Sequence, residues 1–240
     1  MKKLIIAITS IALSVSTLTA QDNAGYNRIG LSYNNTHFGF DKFGDDLEID
    51  GTSLNGIGID YIHGFSLSRA IPIFLETGLN LNFNFGSENL ESIREGNYWA
   101  KSNLSMQNIN AQVPVNFVYR FNLANDLSIA PYLGLNFKLH FTEKIKTEIT
   151  TNIPDRYLIQ AGIDPEELEG EWTSLFDEDL MGGEKYTWNR FQMGWHIGVG
   201  FRYKPLYLGV QYGTDFISAY SYKDSSVNTG NLKISLAYSF

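Results

Sequence analysis

The side chains of this sequence that could do chemistry are ionisable residues on segments where every second residue is polar. They are Asp60, Glu76, Arg120, Lys138, His140, His196, Arg202, Asp215 and Lys233. A hydrolase needs a nucleophile, a base and an orienting carboxylate within mutual reach. The four histidines lie in no His-x-x-x-His spacing, and no Gly-x-Ser-x-Gly motif occurs. The sequence therefore predicts a protein that is not an enzyme, with no catalytic residues, metal ligands or cofactor.

The same residues suit a polar network in the lumen of a barrel. Buried charges must pair with each other or meet water, and a carboxylate between guanidiniums neutralises charge where little water enters. We expect Glu76 to contact Arg120 or Arg202, with Asp60 and His196 in the same lumen network. A conducting pore is the alternative, but a barrel of about eight strands rarely leaves a channel.

The segments that carry these residues alternate apolar and polar side chains with a period of two, which predicts β-strands. In one segment Leu79, Leu81 and Phe83 alternate with Asn80 and Asn82. The predicted strands lie near residues 29–33, 57–61, 75–85, 111–121, 129–139, 195–203, 208–212 and 232–240. An even number of antiparallel strands closes naturally as an up-and-down barrel.

Side-chain size indicates which face of this barrel is inside. The polar face is rich in Gly, Asn, Ser and Gln, whereas the bulky apolar face carries almost no charge. A lipocalin places its large apolar residues inside, so the pattern favours a membrane barrel whose apolar face meets lipid. Aromatic residues also gather at one end of the strands, as they do at a membrane interface. These are Phe65, Tyr119, Phe121, Tyr203, Tyr238 and Phe240.

Short and long connections alternate along the chain. The short ones lie near residues 66–70, 122–126 and 204–205, and the long ones near 41–53, 87–104, 142–190 and 218–227. In transmembrane barrels the short turns are periplasmic and the long loops are extracellular. The predicted fold class is an all-β, closed up-and-down antiparallel transmembrane β-barrel of about eight strands with long extracellular loops. Both termini are then expected in the periplasm.

The beginning of the chain predicts export. Lys2 and Lys3 precede an apolar run at residues 4–13 and small polar residues ending at Ala20, which indicates a secretory signal peptide at residues 1–20. The barrel domain is then residues 21–240, in the outer membrane of a Gram-negative cell. Removal of the signal takes the formal net charge from −8 to −10, which disfavours nucleic acid as a partner. Cysteine is absent, which excludes disulfides and a lipidated N-terminal cysteine.

The connection at residues 142–190 is long and acidic. A helix is predicted to start at Asp164, where Pro165 follows in the first turn. Its carboxylates match no calcium-binding loop; a solvated acidic surface and bridging of cations on lipopolysaccharide are the two interpretations. Its aromatic residues, among them Trp172 and Trp188, form either a small core or a patch that binds a protein partner.

Four stretches resemble the PorT-like family of outer-membrane β-barrel proteins. They are QVPVNFVYRF at 112–121, APYLGL at 130–135, GWHIGVGF at 194–201 and LKISLAYSF at 232–240. The resemblance implies an integral protein surrounded by outer-membrane lipid and lipopolysaccharide. The terminal Phe240 looks like the C-terminal signal that the outer-membrane insertion machinery recognises. Some members of the family serve a protein-secretion apparatus, and most have no assigned activity.

Three functions stay open at this point. The first is a filled structural or binding barrel with surface-exposed recognition loops. The second is a small-solute channel or transporter of the porin kind, and the third is an accessory component of a protein-secretion complex.

Overall fold

The computed structural model describes residues 25–41, 51–68, 71–124, 126–181, 187–222 and 225–240, so the predicted signal peptide lies outside it. The longer strands are β1 (Tyr26–Asp41), β2 (Thr52–Ser66), β3 (Ile73–Glu95), β4 (Tyr98–Tyr119), β6 (Leu127–Thr151), β8 (Phe191–Tyr203), β9 (Leu206–Asp215) and β11 (Ser225–Ser239). The short ones are β5 (Phe121–Ala124), β7 (Thr173–Ser174) and β10 (Tyr220–Tyr222). The helices α1 (Asp155–Gln160) and α2 (Glu178–Met181) are also short, as is a 3₁₀ turn at Pro165–Leu168. None of these helices is long and apolar enough to cross a membrane.

The longer strands form one closed antiparallel ring. Its order is β1, β2, β3, β4, β6, β8, β9 and β11, and β11 pairs again with β1 from Arg28 opposite Ser239 to Asp41 opposite Ser226. The short strands lie off this ring: β5 and β7 pair with β6, and β10 pairs with β11. The predicted barrel of eight strands is therefore confirmed.

The two faces of the ring carry the side chains that the alternation predicts. On the outer face Leu31 and Ile57 are 67% and 66% exposed, whereas the inward Asn82 is 2% exposed. Large apolar side chains that project outward from a closed sheet suit lipid, and the polar side chains fill the interior.

Inward glycines make room for inward aromatic rings. A Cβ added at Gly198 would lie 2.4 Å from the Tyr132 ring, and one added at Gly200 would lie 2.4 Å from the Tyr207 ring. Both rings are buried. The small residues of the polar face thus allow the lumen to be packed with larger side chains from neighbouring strands.

The chain ends and the short connections share one end of the barrel, which we call the short-turn end. Asn27 and Phe240 exchange backbone hydrogen bonds of 2.8 and 2.9 Å there. The turn between β8 and β9 contains Lys204 with a φ of 55°. Aromatic pairs lie at this end, with ring centroids 4.5 Å apart for Tyr119 and Phe121.

The opposite, long-loop end differs from the prediction at residues 87–104, which are not a loop. β3 and β4 stay paired from Ser87 opposite Ser105 to Glu95 opposite Tyr98, with a turn at Gly96, whose φ is 59°. This extension has polar residues on both faces, so the apolar alternation that identifies a membrane-facing strand is missing from it.

Residues 142–151 are likewise strand rather than loop. They continue β6 and pair with β4 as far as Ala100 opposite Thr151. A bulge at Phe141 shifts the register between Ile109 and Asn110, which reverses the phase of the alternation beyond it. The predicted helix start at Asp164 is a single 3₁₀ turn, in which the Asp164 carboxylate accepts from the Glu166 N–H at 3.0 Å.

Candidate functional site

The lumen near the short-turn end is centred on a buried ion pair. Arg28 on β1 donates from Nη1 to Oε1 of Glu76 at 3.0 Å and from Nη2 to Oε2 at 3.1 Å. The Tyr26 hydroxyl also donates to Glu76, and Asn116 Nδ2 donates to Oε2 at 3.2 Å. The carboxylate therefore has four donors in a space with little water, which is the condition for a buried charge to be tolerated.

A second ion pair lies further along the lumen. Lys233 on β11 donates to Oδ1 of Asp60 on β2 at 2.7 Å. Hydroxyl groups of Ser32 and Ser235 each donate to the same carboxylate at 3.2 Å. Each carboxylate oxygen of Asp60 thus accepts from at least one donor on β1 or β11.

A third ion pair lies towards the long-loop end. Lys138 on β6 donates to Oδ2 of Asp215 on β9 at 2.7 Å, and Thr229 donates to the same oxygen. The side chains of Lys138 and Asp215 are almost fully buried. Three pairs of opposite charge therefore occupy successive levels of the interior.

Side-chain amides form a further chain of hydrogen bonds in the interior. Asn34 donates to Asn82 at 3.0 Å, Asn82 donates to Asn110 at 3.0 Å, and Gln112 donates to Asn110 at 3.1 Å. Asn136 continues the chain by donating to Gln112 at 3.1 Å. These residues come from β1, β3, β4 and β6, so the chain runs from strand to strand along the wall, and its Asn34–Asn82 bond spans the lumen over β2.

The two inward histidines belong to this network. His196 Nε2 lies 2.7 Å from Asn116 Oδ1, so the ring nitrogen is the donor, and its Nδ1 has no partner among the residues described. His140 lies between Glu143, at 3.1 Å from Nδ1, and Gln192, at 3.2 Å from Nε2. Within the described part of the chain, no group of three or more His, Cys, Asp or Glu side chains could hold a metal ion.

The predicted lumen residues divide into two groups. Asp60, Glu76 and His196 are buried in the network, whereas Arg120 and Arg202 line the cavity at the short-turn mouth and, together with Glu76, a small cavity of about 10 Å³. The expected contact of Glu76 with Arg120 or Arg202 is wrong, because its guanidinium partner is Arg28. The period-two pattern contained the missing signal, since Tyr26, Arg28, Ser32 and Asn34 alternate with the lipid-facing residues of β1.

An apolar cluster closes the lumen at the long-loop end. The buried members from the ring strands are Phe38, Leu54, Met106 and Val227, and Leu175, Ala219 and Tyr220 join them. Trp188 packs against this cluster, with its ring centroid 5.7 Å from that of Phe38. Backbone hydrogen bonds fix Leu175 and Trp188 in this cluster: Leu175 N donates to Glu143 O and Trp188 N donates to Leu175 O, both at 2.9 Å. We call this set of residues the apolar cap.

The spaces left between these side chains are small. Two cavities inside the barrel measure about 30 and 10 Å³, beside Asp60 and Lys233 and beside Glu76 and Arg28. A cavity needs about 10–15 Å³ to hold one water molecule. The cavity at the short-turn mouth is larger, at about 220 Å³.

The model of the outer membrane protein β-barrel domain matches residues 5–240. Among solved structures, Ail of Yersinia pestis in complex with the heparin analogue sucrose octasulfate is 13% identical, covers 90% of this chain and 99% of its own, and has a TM-score of 0.36. Neisserial surface protein A is 11% identical over 89% of this chain and 97% of its own, with a TM-score of 0.41. OprG of Pseudomonas aeruginosa is 11% identical over 90% and 96%, with a TM-score of 0.40. No curated protein matches the sequence.

Proposed function

The chain belongs to the outer membrane protein β-barrel family, and on that premise we propose that it is a recognition barrel whose lumen is filled and whose long-loop end binds a partner outside the cell. The observation that carries this proposal is the lumen itself, in which three ion pairs and a chain of amides occupy the interior below the apolar cap. A barrel with a filled lumen can anchor the surface at its long-loop end in the membrane without conducting solutes.

A small-solute channel is less well supported by the same residues. A conducting path would have to break the Arg28–Glu76, Lys233–Asp60 and Lys138–Asp215 pairs or pass between them. Separating a buried pair leaves an uncompensated charge and costs about 3–5 kcal/mol. Interior cavities of about 30 and 10 Å³ have room for a few water molecules rather than for a continuous water column.

The long-loop end offers the extended surface that recognition needs. β3, β4 and β6 continue there as one three-stranded sheet beyond the closed ring. Apolar side chains are exposed on it and on the helix beside it, with Ile93 at 63% and Ile159 at 64%. Tyr98 at the tip of the sheet packs edge-on against Tyr157 of α1, with ring centroids 6.2 Å apart. Exposed apolar groups of this kind suit a protein partner.

The charge of this end suggests the chemistry of that partner. Exposed carboxylates follow α1, and they are Glu166, Glu167, Glu169, Glu171, Glu178 and Asp179. Like charges repel, so this surface disfavours sulfated polysaccharides and favours a protein with basic and apolar groups. Binding to lipopolysaccharide through bridging cations is the second possibility that these carboxylates allow.

Site-specific photo-cross-linking on intact cells tests the proposal. A photoreactive residue at position 159 should form a protein adduct, whereas one at position 81, on the lipid face of the same barrel, should not. The side chain of Leu81 is 48% exposed and serves as the matched control. The proposal fails if positions 93, 98 and 159 give no adduct, or if position 81 gives the same adducts as position 159.

A further inference from the structure

The lumen pairs its buried cations with carboxylates but leaves two arginines at the short-turn mouth without one. Arg28, Lys138 and Lys233 each have a carboxylate oxygen within 3.0 Å. Among the residues described, no carboxylate lies within 4.0 Å of the guanidinium of Arg120 or Arg202. Both arginines are half-buried, so water solvates them only in part.

Each of these two guanidiniums is held in place by groups that are not anions. Arg120 lies over two rings, 4.6 Å from the Tyr26 centroid and 4.3 Å from the Phe74 centroid. Arg202 donates from Nε to the carbonyl of Lys204 at 3.0 Å. Its terminal nitrogens have no acceptor among the described residues. The donors that could bind an anion are therefore fixed in orientation and unused.

Both arginines line one cavity of about 220 Å³ at this mouth. Lys204, Asn122 and Ser128 line it too, and Asp126 is the single carboxylate on its wall. The wall therefore has three cations against one anion. The cavity volume exceeds what one or two water molecules fill, so it has room for a small organic group.

We infer that this cavity binds an oxyanion, a carboxylate or phosphate group of a small soluble molecule, with Arg120 and Arg202 as the residues that bind it. A guanidinium presents paired N–H donors that match the two oxygens of a carboxylate or phosphate. Ser128 and Asn122 supply neutral donors beside them. Because Arg120, Ser128 and Arg202 face inward and Asp126 and Lys204 belong to the short turns, the site is reached from the short-turn mouth. This site lies at the end opposite to the proposed recognition surface and goes beyond that function.

Titration calorimetry on the full barrel in an uncharged detergent tests the inference. Inorganic phosphate and succinate are the two probes, each at constant ionic strength with chloride as the reference. We expect saturable binding of at least one probe, and Arg202→Gln and Arg120→Gln should each weaken it about tenfold or more, the effect of losing a charged hydrogen bond. Arg156→Gln, on the exposed helix at the other end, is the matched control and should leave binding unchanged. Heat-modifiable migration on gels reports whether each variant is folded.

Three outcomes would overturn the inference. The first is no saturable binding of either probe beyond the chloride reference. The second is equal loss of binding in Arg156→Gln and Arg202→Gln, which would indicate a general charge effect. The third is binding of a lipid headgroup instead of a soluble anion, tested in zwitterionic nanodiscs with and without phosphatidylglycerol. The site would be assigned to a headgroup if phosphatidylglycerol binding depended on Arg202 while free phosphate and succinate did not bind.

Discussion

Arg28 and Glu76 form a bidentate ion pair inside the barrel although their strands, β1 and β3, are not neighbours in the ring. The pair spans the lumen over β2, and the Arg28 guanidinium also lies 3.7 Å from the centroid of the Tyr207 ring on β9. One charged side chain thus contacts residues from opposite parts of the wall. Its position makes it a central support of the filled lumen.

Removing the carboxylate from this pair should destabilise the barrel strongly. Glu76→Gln keeps the shape but leaves the buried guanidinium without a counter-charge, so we expect a loss of about 3–5 kcal/mol in the free energy of unfolding. Urea titration in lipid vesicles, followed by heat-modifiable migration, measures this. Lys146→Gln is the control, since its partners Glu148 and Glu169 are exposed and such pairs contribute about 0–1 kcal/mol. Equal losses in the free energy of unfolding would show that the buried pair stabilises the barrel no more than an exposed pair does.

The lipid-facing assignment predicts a contrast between two positions of one strand. Leu81 lies on the outer face of β3 within the closed ring, and Ile93 lies on the same strand beyond it. An arginine at the bilayer midplane costs about 2–4 kcal/mol on a lipid-facing position, and the cost falls to about 0–1 kcal/mol near the interfaces. Leu81→Arg should therefore reduce the folded fraction in vesicles, and Ile93→Arg should not. Similar folded fractions for both variants would mean that the face assignment is wrong.

The sequence predicted the closed barrel because lipid demands an apolar residue at every second position of a spanning strand. It could not predict the extended part of β3, β4 and β6, where water on both faces removes that demand. The predicted partner of Glu76 is wrong for a different reason. Alternation assigns a residue to a face, but which inward cation lies opposite a carboxylate depends on the shear of the ring, and no single strand contains that information.

The bulge at Phe141 is a second feature that alternation along one strand cannot predict. Strict alternation from His140 would put Glu143 on the outer face, whereas the extra residue places both side chains inside, 3.1 Å apart. The signal peptide at residues 1–20, the PorT-like designation and the extracellular position of the long-loop end stay predictions.

Shortening the segment beyond β6 should spare the barrel. Residues 153–168 contain α1 and the 3₁₀ turn, and Glu169 pairs with Glu148 immediately afterwards, so a link of a few residues can rejoin the chain to β6. A short Gly/Ser link should therefore leave heat-modifiable migration intact, since loop length changes closure entropy by only about 0.6 kcal/mol per doubling. Replacing residues 153–190 instead removes Leu175 and Trp188 from the apolar cap. We expect the replacement of residues 153–190 to lower the urea midpoint. Loss of folding after replacement of residues 153–168 alone would contradict the prediction that this segment is dispensable.

Protease accessibility tests which side of the membrane the long-loop end occupies. Trypsin added to intact cells should cut after the exposed Arg156 in α1 and leave a protected barrel. Arg156→Gln should remove that cut and serves as the control for its position. Cleavage at Arg156 only after the outer membrane has been permeabilised would reverse the topology.

The measurement that tests the filled lumen most directly is single-channel conductance in planar bilayers, with a wide porin as the positive control. The wild-type barrel should give no steady unitary current, because three buried ion pairs and the apolar cap block the axis. The variant with a Gly/Ser link in place of residues 153–190 should remain closed as well, since the ion pairs lie below the cap. A steady current from the wild-type barrel that persists in this variant would contradict the filled lumen.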